Sequence, residues 1–383
     1  MKQEQLANLS IEWKRGSGLS KSDIDVAGKN KCILYGELYT KHKKVLIDST
    51  NISRTNNVGK VCSKKGDILI PGTSTASKKD MLLAREIDED GVFLGGDINI
   101  IRPPKGLFAK KYLPYYFETF TAYDQLDRYI TGATGIIHIS NSGIKNLQVP
   151  LPSLKEQQRI VAIIDKAFAA IAKAKANAEQ NLKNAKDLFE SYLQGVFENN
   201  GEGWEEKRFD EICVLQRGFD LPTHSRNEGS YPLVSSNGIT DRIDLWKVKS
   251  PGVVTGRSGT IGNVHYIEED YWPLNTALYI KEFHGNYERF IYFFLKQFDL
   301  GKYSSGAGVP TLNRNNVHSE MVWFPKSIKV QQAIVQKLDA LSDETKKLES
   351  IYQQKIKDLE ELKKSVLQKA FSGELKTEKA IAI

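Results

Sequence analysis

The side chains best suited to nucleophilic catalysis or to transition-metal binding are few in this sequence, which contains three cysteines and six histidines. Cys32, Cys62 and Cys213 lie far apart with no Cys-x-x-Cys spacing, and the histidines are scattered. No nucleophile stands in a recognisable arrangement with a base. We therefore expect three reduced thiols in or near the core, no disulfide framework, no metal site and no catalytic site.

Acidic clusters could instead supply the metal ligands of a nuclease. Asp88–Asp90 and Glu268–Asp270 are such runs, but each lies in a polar stretch typical of a solvated turn. Glu205–Lys207 fits the end of a nuclease motif, although no partnering acid stands at a suitable spacing. The sequence also has no GxxxxGK[ST] phosphate loop, no Asn-Pro-Pro-aromatic motif and no Gly-x-Gly placed to cradle S-adenosylmethionine. We predict that this chain binds no cofactor itself and is not an enzyme.

Length and composition indicate a globular protein with more than one domain. The 383 residues exceed one ordinary core, and 40% apolar with 26% charged residues is a globular balance. The net charge of +7 permits a polyanionic partner without requiring one. No window approaches the roughly 18–20 apolar residues of a membrane span, and the N-terminus has no apolar signal region. We therefore expect a cytoplasmic protein.

The chain contains an internal repeat that places the two domains. Gln157–Val161 aligns with Gln331–Val335 at an offset of 174 residues, and the same offset carries Asp165 onto Asp339 and Phe197 onto Phe371. A period of this length is that of a domain rather than of a solenoid repeat. The sequence therefore predicts two copies of one unit, each a globular module followed by a long helix, related by a pseudo-twofold axis.

Both copies end in a predicted helix of about 43 residues, or about 65 Å. Apolar or small residues recur every three or four positions, which is typical of a coiled-coil seam with one stutter. Because a helix with one apolar stripe needs a partner, we expect the two helices to pack against each other in antiparallel orientation. The predicted seams consist of Ile160, Ile164, Ala167, Ile171, Ala174, Ala178, Leu182, Ala185, Phe189, Tyr192 and Val196 in the first helix, and of Ile334, Leu338, Leu341, Thr345, Leu348, Tyr352, Ile356, Leu359, Lys363, Val366 and Ala370 in the second.

The residues before each helix indicate short strands and turns with one aromatic helical segment, so each module is predicted to be mixed α/β. The predicted fold class is α+β, with two similar modules separated by two long antiparallel coiled-coil helices. We divide the chain into a first module (1–154), a first spacer helix (155–199), a second module (200–328), a second spacer helix (329–373) and a flexible tail (374–383).

The helix boundaries resemble a known family. The first helix begins with Leu-Pro-x-Leu-x-x-Gln-Gln-x-Ile at Leu151–Ile160, and a degenerate copy covers Phe324–Ile334. The second helix ends with Ser-x-Leu-Gln-x-x-Phe-Ser-Gly-Glu-Leu at Ser365–Leu375. This pattern resembles the DNA-specificity (S, HsdS) subunit of type I restriction–modification systems, and the resemblance covers essentially the whole chain.

The resemblance implies two target-recognition domains that each read one half of a bipartite double-stranded DNA site, with the helices setting the spacing. It also implies that two modification (methyltransferase) subunits dock on the chain and that restriction (motor–nuclease) subunits join them. S-adenosylmethionine, ATP and magnesium would then belong to these partners. Two alternatives remain open: a coiled-coil scaffold with two protein-binding modules, and a stand-alone nuclease or methyltransferase.

If the modules read DNA, polar and basic loops are the candidate contacts, because Lys, Arg, hydroxyl and amide side chains contact phosphates and base edges. The candidates in the first module are Tyr39, Lys41, Lys43, Lys44, Thr73, Ser74, Lys78, Lys79, Thr131 and Thr134. Those in the second module are Ser236, Asn237, Arg257, Ser258, Thr260, Lys302, Tyr303, Ser305, Asn313 and Arg314.

Overall fold

The computed structural model describes residues 2–75, 77–133, 135–198, 201–306 and 310–374. These residues form two compact units. Unit 1 comprises the described residues of Met1–Ala178 and Lys355–Ile383, and unit 2 comprises those of Glu179–Gln354. The division between the units cuts through both long helices, so each unit combines one module with half of each helix.

The first module of unit 1 consists of short strands and short helices. In chain order these are β1 (Gln3–Gln5), β2 (Glu12–Arg15), β3 (Asn30–Ile33), α1 (Glu37–Thr40), β4 (Ser53–Thr55), β5 (Asp67–Pro71), β6 (Thr73–Ser74), β7 (Arg85–Ile87), β8 (Phe93–Leu94), β9 (Ile98–Arg102), α2 (Tyr112–Phe117), α3 (Phe120–Leu126), β10 (Thr131–Ala133), β11 (Ile136–His138), α4 (Asn141–Ile144) and β12 (Gln148–Pro150). The first long helix, α5 (Leu154–Glu198), follows.

The second module has a parallel series of elements. They are β13 (Trp204–Arg208), α6 (Phe209–Ile212), β14 (Val214–Arg217), β15 (Glu228–Ser235), β16 (Gly238–Ile243), β17 (Gly252–Gly256), β18 (Val264–Ile267), β19 (Trp272–Pro273), β20 (Ala277–Glu282), α7 (Glu288–Gln297), β21 (Ser304–Ser305), β22 (Thr311–Leu312), α8 (Arg314–His318) and β23 (Met321–Pro325). The second long helix is α9 (Ile328–Ser372).

The sheet topology confirms the duplication. In the first module the strand orders are β1-β12, β2-β9-β5-β7, β4-β3-β8 and β10-β11-β6. In the second they are β13-β23, β14-β20-β17-β18, β16-β15-β19 and β21-β22. The three-stranded sheets β4-β3-β8 and β16-β15-β19 even share the same mixture of one antiparallel and one parallel pairing. The two modules are therefore two versions of one α+β fold, as the sequence repeat predicts.

Each module has a core next to the helices and further apolar clusters away from them. In unit 1 the helix-proximal core includes Tyr112 and Tyr116 of α2 together with Ile160 and Ile164 of α5. In unit 2 the corresponding core includes Phe290 and Phe294 of α7. The aromatic segments of the sequence therefore form the core helices through which each module packs against the long helices.

The long helices pack against each other in antiparallel orientation within each unit. In unit 1, Lys175 of α5 forms an ion pair with Glu360 of α9 at 2.6 Å, while the earlier residue Phe168 contacts the later residue Lys363, whose ammonium lies 4.8 Å from the ring centroid. In unit 2, Lys186 pairs with Glu349 at 3.7 Å. Among the described residues, no helix is both long enough and apolar enough to cross a membrane.

Three positions of the predicted seam are exposed. Tyr192 and Leu348 are 40% and 39% exposed and Lys363 is also exposed, whereas Leu193 and Val335, which lie outside the predicted seam, are 1% and 3% exposed. Toward the ends of the helices, side chains are buried against a module as well as against the other helix, and Leu193 and Val335 both belong to the core of the second module. A seam drawn for two helices alone omits that second contact surface.

A buried glutamine attaches each module to the start of its helix. Gln157, 1% exposed, accepts the backbone N–H of Ala109 at 2.8 Å and donates to the carbonyl oxygens of Leu107 and Pro152. Its repeat partner accepts and donates in the same way, with the contacts Gln331 Oε1 to Tyr287 N, Nε2 to Asn286 Oδ1 and Nε2 to Pro325 O. The first glutamine of the Gln-Gln motif is therefore a structural residue that satisfies buried backbone groups.

The end of each long helix closes the unit that contains the start of the other. Phe371 of α9 packs on Tyr112 and Tyr116 of the first module, with ring centroids 5.2 and 5.1 Å apart. Phe197 of α5 packs on Phe290 and other aromatic rings of the second module. The exit motif of the sequence is therefore part of the core of each unit.

Candidate nucleic-acid interface

Three polar segments of the second module meet, and all three contain residues predicted to contact DNA. The Thr260 hydroxyl lies within hydrogen-bond distance of two acceptors, the Ser236 carbonyl oxygen at 2.9 Å and Asn237 Oδ1 at 2.7 Å. Ser258 forms an isolated bridge with Thr311, which belongs to the β21–β22 hairpin. We call residues 236–237, 257–260 and 311–313 the second-module loop cluster.

Arg257 lies at the root of this cluster and its backbone is fixed on both sides. Its N–H donates to the Thr276 carbonyl at 2.9 Å, and its carbonyl accepts the N–H of Leu312 at 2.8 Å. The preceding Gly256 is required, because a Cβ there would lie 1.9 Å from the carbonyl oxygen of Thr260. The side chain is partly buried.

The remaining second-module candidates differ in how available they are. Lys302 and Ser305 are exposed, and Asn313 caps α8 by accepting the N–H of Asn315. Tyr303 is stacked on Phe298 at 5.7 Å, and burial together with a hydrogen bond to Glu320 raises its pKa to about 12. Arg314 donates to the Leu215 carbonyl at 3.2 Å and to Gln216. Tyr303 and Arg314 are therefore held by the fold, and Lys302, Ser305 and Asn313 are better placed for a ligand.

Three polar residues beside Arg257 were not predicted. Asp220 is held by Arg217 through both carboxylate oxygens and accepts a hydrogen bond from Asn275, and these contacts lower its pKa, with the Asn275 bond the largest cause. The Asn275 carbonyl in turn accepts a long hydrogen bond from Arg257 Nη1, at 3.5 Å. In the first module Arg15 likewise pairs with an aspartate, Asp97, at 2.5 Å.

In the first module the predicted residues are partly withdrawn from the surface. Thr73 and Ser74 of β6 are 6% and 0% exposed, and Thr73 Oγ1 lies 3.0 Å from His138 Nδ1. Their burial does not support a direct contact with DNA. Both residues pair with β11, a strand that is distant in sequence, so no local pattern predicts this burial. Thr131 is exposed on β10, whereas Thr134 lies outside the described residues.

The two lysines after β6 remain on the surface. Lys78 forms an ion pair with Asp127 at 2.8 Å, and this hydrogen bond lowers the pKa of Asp127. Lys79 is exposed. Both ammonium groups can therefore reach a polyanion, although Lys78 would first have to leave its carboxylate.

The run from Tyr39 to Lys44 does not present one basic face. Lys41 turns inward, where its ammonium donates to Ser53 Oγ at 2.7 Å and lies 3.4 Å from Glu37. Lys43 donates to the carbonyl of Tyr39 at 2.9 Å. Lys43 and Lys44 line a groove between the first module and its halves of the long helices, together with side chains such as Phe168 and Lys363. The structure thus separates these lysines from Thr73 and Thr131, which lie on the β10-β11-β6 sheet.

The acidic runs contribute to ion pairs at the surface, and the three cysteines are free thiols. Asp88 pairs with Lys65 at 3.0 Å, and Glu269 pairs with Arg242 at 2.7 Å. Within the described ranges, no group of three or more histidine, cysteine, aspartate or glutamate side chains is arranged to hold a metal ion. Burial raises the pKa of Cys32 to about 11, and Cys213 is also buried. Cys62, expected in or near the core, is exposed.

Two duplicated α+β modules on long helices, with a polar loop cluster at the surface of the second module, suit a recognition protein. The model of the type I restriction modification DNA specificity domain matches residues 1–183 and 201–358, so the chain belongs to this family. It is a DNA specificity subunit of a type I restriction–modification system, and DNA and a restriction–modification complex are its partners.

Two curated relatives are also named as specificity subunits of type I restriction enzymes. The type I restriction enzyme MjaIX specificity subunit of Methanocaldococcus jannaschii is 25% identical over 320 residues, covering 73% of this chain and 72% of that protein. The EcoBI specificity subunit of Escherichia coli is 23% identical over 295 residues, covering 64% of this chain and 62% of that protein.

Solved structures support the fold. A chain from a structural study of complex assembly and conformational transition in a type I restriction–modification system superposes with a TM-score of 0.80 at 17% identity, covering 98% of both chains. The HsdS subunit from Thermoanaerobacter tengcongensis gives a TM-score of 0.65 at 17% identity, covering 98% of this chain and 97% of that one.

Proposed function

We propose that each module reads one half of a bipartite DNA target and that the two long helices set the spacing between the halves. The observation that carries this proposal is the duplication: two modules share one sheet topology and one mode of attachment but have different side chains in the loops after β5 and β17. Two different readers on a common plan suit an asymmetric split site. A continuous helix of 45 residues fixes a distance better than a flexible linker does.

The chemistry of modification and restriction is proposed to reside in other chains. Two modification (methyltransferase) subunits would dock on this chain, with the restriction (motor–nuclease) subunits joining them in the cytoplasm. S-adenosylmethionine, ATP and magnesium would be bound by those partners. The duplicated body favours two copies of a docking subunit, because each unit repeats the same helix start and helix end.

A module exchange tests the division of labour. Residues 203–327 are replaced by the second module of a relative with a different target, and methylated sites are mapped in cells that also express the modification subunit. The half of the target read by the second module should change. The half read by the first module should remain the same and should still be methylated. The matched control exchanges the first module instead, and the opposite half should change.

Two results would contradict the proposal. An unchanged target after the exchange would mean that the second module does not read DNA. A change in both halves would mean that the modules do not act separately. Binding of the wild-type complex to duplex DNA should also weaken steeply as salt increases, because phosphate contacts release counterions.

A further inference from the structure

The arginines of unit 2 differ in whether their guanidinium groups already have strong partners. Unit 2 contains seven arginines. Four pair with carboxylates and two donate to carbonyl or amide oxygens, namely Arg208, Arg217, Arg242, Arg289, Arg226 and Arg314. Arg257 is the seventh, and among the described residues its guanidinium has only the long 3.5 Å hydrogen bond to the Asn275 carbonyl.

The position of Arg257 suits recognition more than packing. Its backbone is anchored to Thr276 on one side and to Leu312 on the other, so the side chain starts from a fixed point. The side chain is partly buried beside the loop cluster, unlike the exposed Lys302. An arginine whose root is fixed loses less conformational entropy when it makes a paired contact than one on a mobile loop.

A polar network also limits where the guanidinium can go. Arg217 holds both oxygens of Asp220, Asp220 accepts from the Asn275 side chain, and the Asn275 carbonyl faces Arg257 Nη1. Because the Asp220 carboxylate is already held by Arg217 and Asn275, it attracts Arg257 without forming an ion pair with it. The remaining N–H donors of Arg257 therefore stay available for a ligand.

We propose that Arg257 reads a guanine in the half-site bound by the second module, with two guanidinium N–H groups donating to O6 and N7 of that base in the major groove. This inference rests on the proposed function of the module. Guanine is the base whose major-groove edge offers two adjacent acceptors, and the planar arginine fork matches them. A phosphate would accept the same donors but would not require a side chain fixed at the root of a loop cluster.

The first module has no equivalent residue. The loop that follows β5, the counterpart of β17, carries the buried Thr73 where the second module carries Arg257. The effect of changing Arg257 should therefore be confined to one half of the target, and within it to one base pair.

The test uses the full chain in complex with its modification subunit, with Arg257→Ala, Arg257→Lys and the matched control Arg242→Ala. Arg242 is a surface arginine of the same module that pairs with Glu269. Methylated sites are mapped, and binding is measured on duplexes that carry each base at each position of the half-site. Arg257→Ala should reduce the preference for guanine at one position by about 5- to 150-fold and leave the other positions unchanged. Arg257→Lys should give an intermediate preference, and Arg242→Ala should behave as wild type.

A second measurement does not depend on the folding of a variant. The wild-type complex is assayed on duplexes in which each guanine of the half-site is replaced in turn by 7-deazaguanine, which lacks the N7 acceptor. One replacement should weaken binding by about 5-fold or more, at the position that Arg257→Ala relaxes.

Several outcomes would overturn the inference. A uniform loss of affinity across all sequences in Arg257→Ala would make the residue a phosphate contact, and an unchanged target would remove it from the interface. A half-site without a guanine on either strand, or an effect in the half read by the first module, would also contradict it. By contrast, a wild-type complex with no sequence preference would be a failure of the proposed function itself.

Discussion

The two units make similar contacts where module meets helix and different contacts where the loops of the modules are exposed. Gln157 and Gln331 each make three hydrogen bonds to their modules, and two of the three go to equivalent kinds of group, a backbone N–H and a proline carbonyl. After the equivalent strands β5 and β17, however, unit 1 has the buried Thr73, and unit 2 has the partly buried Arg257, most of whose N–H donors remain available. The shared residues build the framework, and under the proposed function the residues that differ would distinguish one DNA half-site from the other.

The attachment also shows a compensated difference. Asp165 in unit 1 accepts hydrogen bonds from Lys111 and Tyr115, whereas Asp339 in unit 2 accepts from the guanidinium of Arg289, at 2.7 Å from Nη2. Arg289 in turn lies over the rings of Tyr266 and Tyr292. The aspartate of the long helix is therefore fixed to the aromatic helix of its module in both units. Lys111 and Tyr115 do this in unit 1, and Arg289 does it in unit 2.

The largest test of this equivalence removes the aromatic side chain that closes each unit. Phe371→Ala should cost about 3–5 kcal/mol of unfolding free energy in unit 1, and Phe197→Ala a similar amount in unit 2, because each leaves a cavity among buried rings. Hydrogen exchange resolves the two units, and each variant should lower protection mainly in its own unit.

The control variants replace two exposed leucines that lie at equivalent positions of the repeat. Leu362 and Leu188 are 48% and 62% exposed, so Leu362→Ala and Leu188→Ala should change stability by less than about 0.5 kcal/mol. A loss confined to only one of the two phenylalanine variants would show that the units are not closed in the same way.

A smaller effect should follow from loss of the buried glutamines. Gln157→Ala and Gln331→Ala should each cost about 2–3 kcal/mol, because a buried backbone N–H and two acceptors lose their partner. Gln158→Ala and Gln332→Ala are matched controls, since both of these neighbouring side chains are exposed. Urea unfolding measures the difference, and equal stability of Gln158→Ala and Gln157→Ala would refute the structural role of the motif.

The smallest expected effect is a pH dependence of stability that unit 2 has through His318 and that unit 1 lacks at the corresponding position. His318 Nε2 accepts the N–H of Leu215 at 3.0 Å, whereas the corresponding contact in unit 1 is Lys145 over the ring of Trp13. Burial lowers the pKa of His318 below its ordinary value, although Asp210 acts in the opposite direction. Its stabilisation is therefore fully present above about pH 6.5 and is lost as the pH falls through the folded-state pKa.

Protonation would place a donor against the Leu215 N–H, and we expect a loss of about 1 kcal/mol between pH 7 and pH 5 after allowing for partial exposure. Comparison of urea unfolding at the two pH values, in wild type and in His318→Gln, measures it. The glutamine oxygen can accept the same N–H at either pH, so the variant should lose this part of the pH dependence. An identical pH dependence in both proteins would exclude His318 as its source.

The sequence predicted the positions of the long helices closely. The prolines before Gln157 and Gln331 and the Gly373 stop bracket α5 and α9, whose observed bounds are Leu154–Glu198 and Ile328–Ser372. Local signals of this kind are reliable because they depend on backbone chemistry at the ends of a helix. The repeat likewise predicted two copies of one fold, since the same residues recur at the same spacing.

The availability of the candidate site residues could not be predicted from the sequence, for a physical reason. Residue type marked Thr73, Ser74, Arg257 and Arg314 alike as polar loop residues, but the availability of each depends on what lies across from it. Ser74 pairs with Ile137 of the β10–β11 hairpin, and Arg314 donates hydrogen bonds to Leu215 and Gln216 of β14. Neither partner is near in sequence, so no local pattern reveals the contact.

The sequence by itself therefore determined the duplicated plan, the extent of the helices and the kind of protein, because helix periodicity, helix ends and an internal repeat are written in neighbouring residues. Only the tertiary structure decided which polar groups are used up in holding the fold and which keep their donors, because hydrogen-bond partners and burial are set by segments that meet from distant parts of the chain. That is why Arg257 can be distinguished from the six other arginines of its unit only after folding.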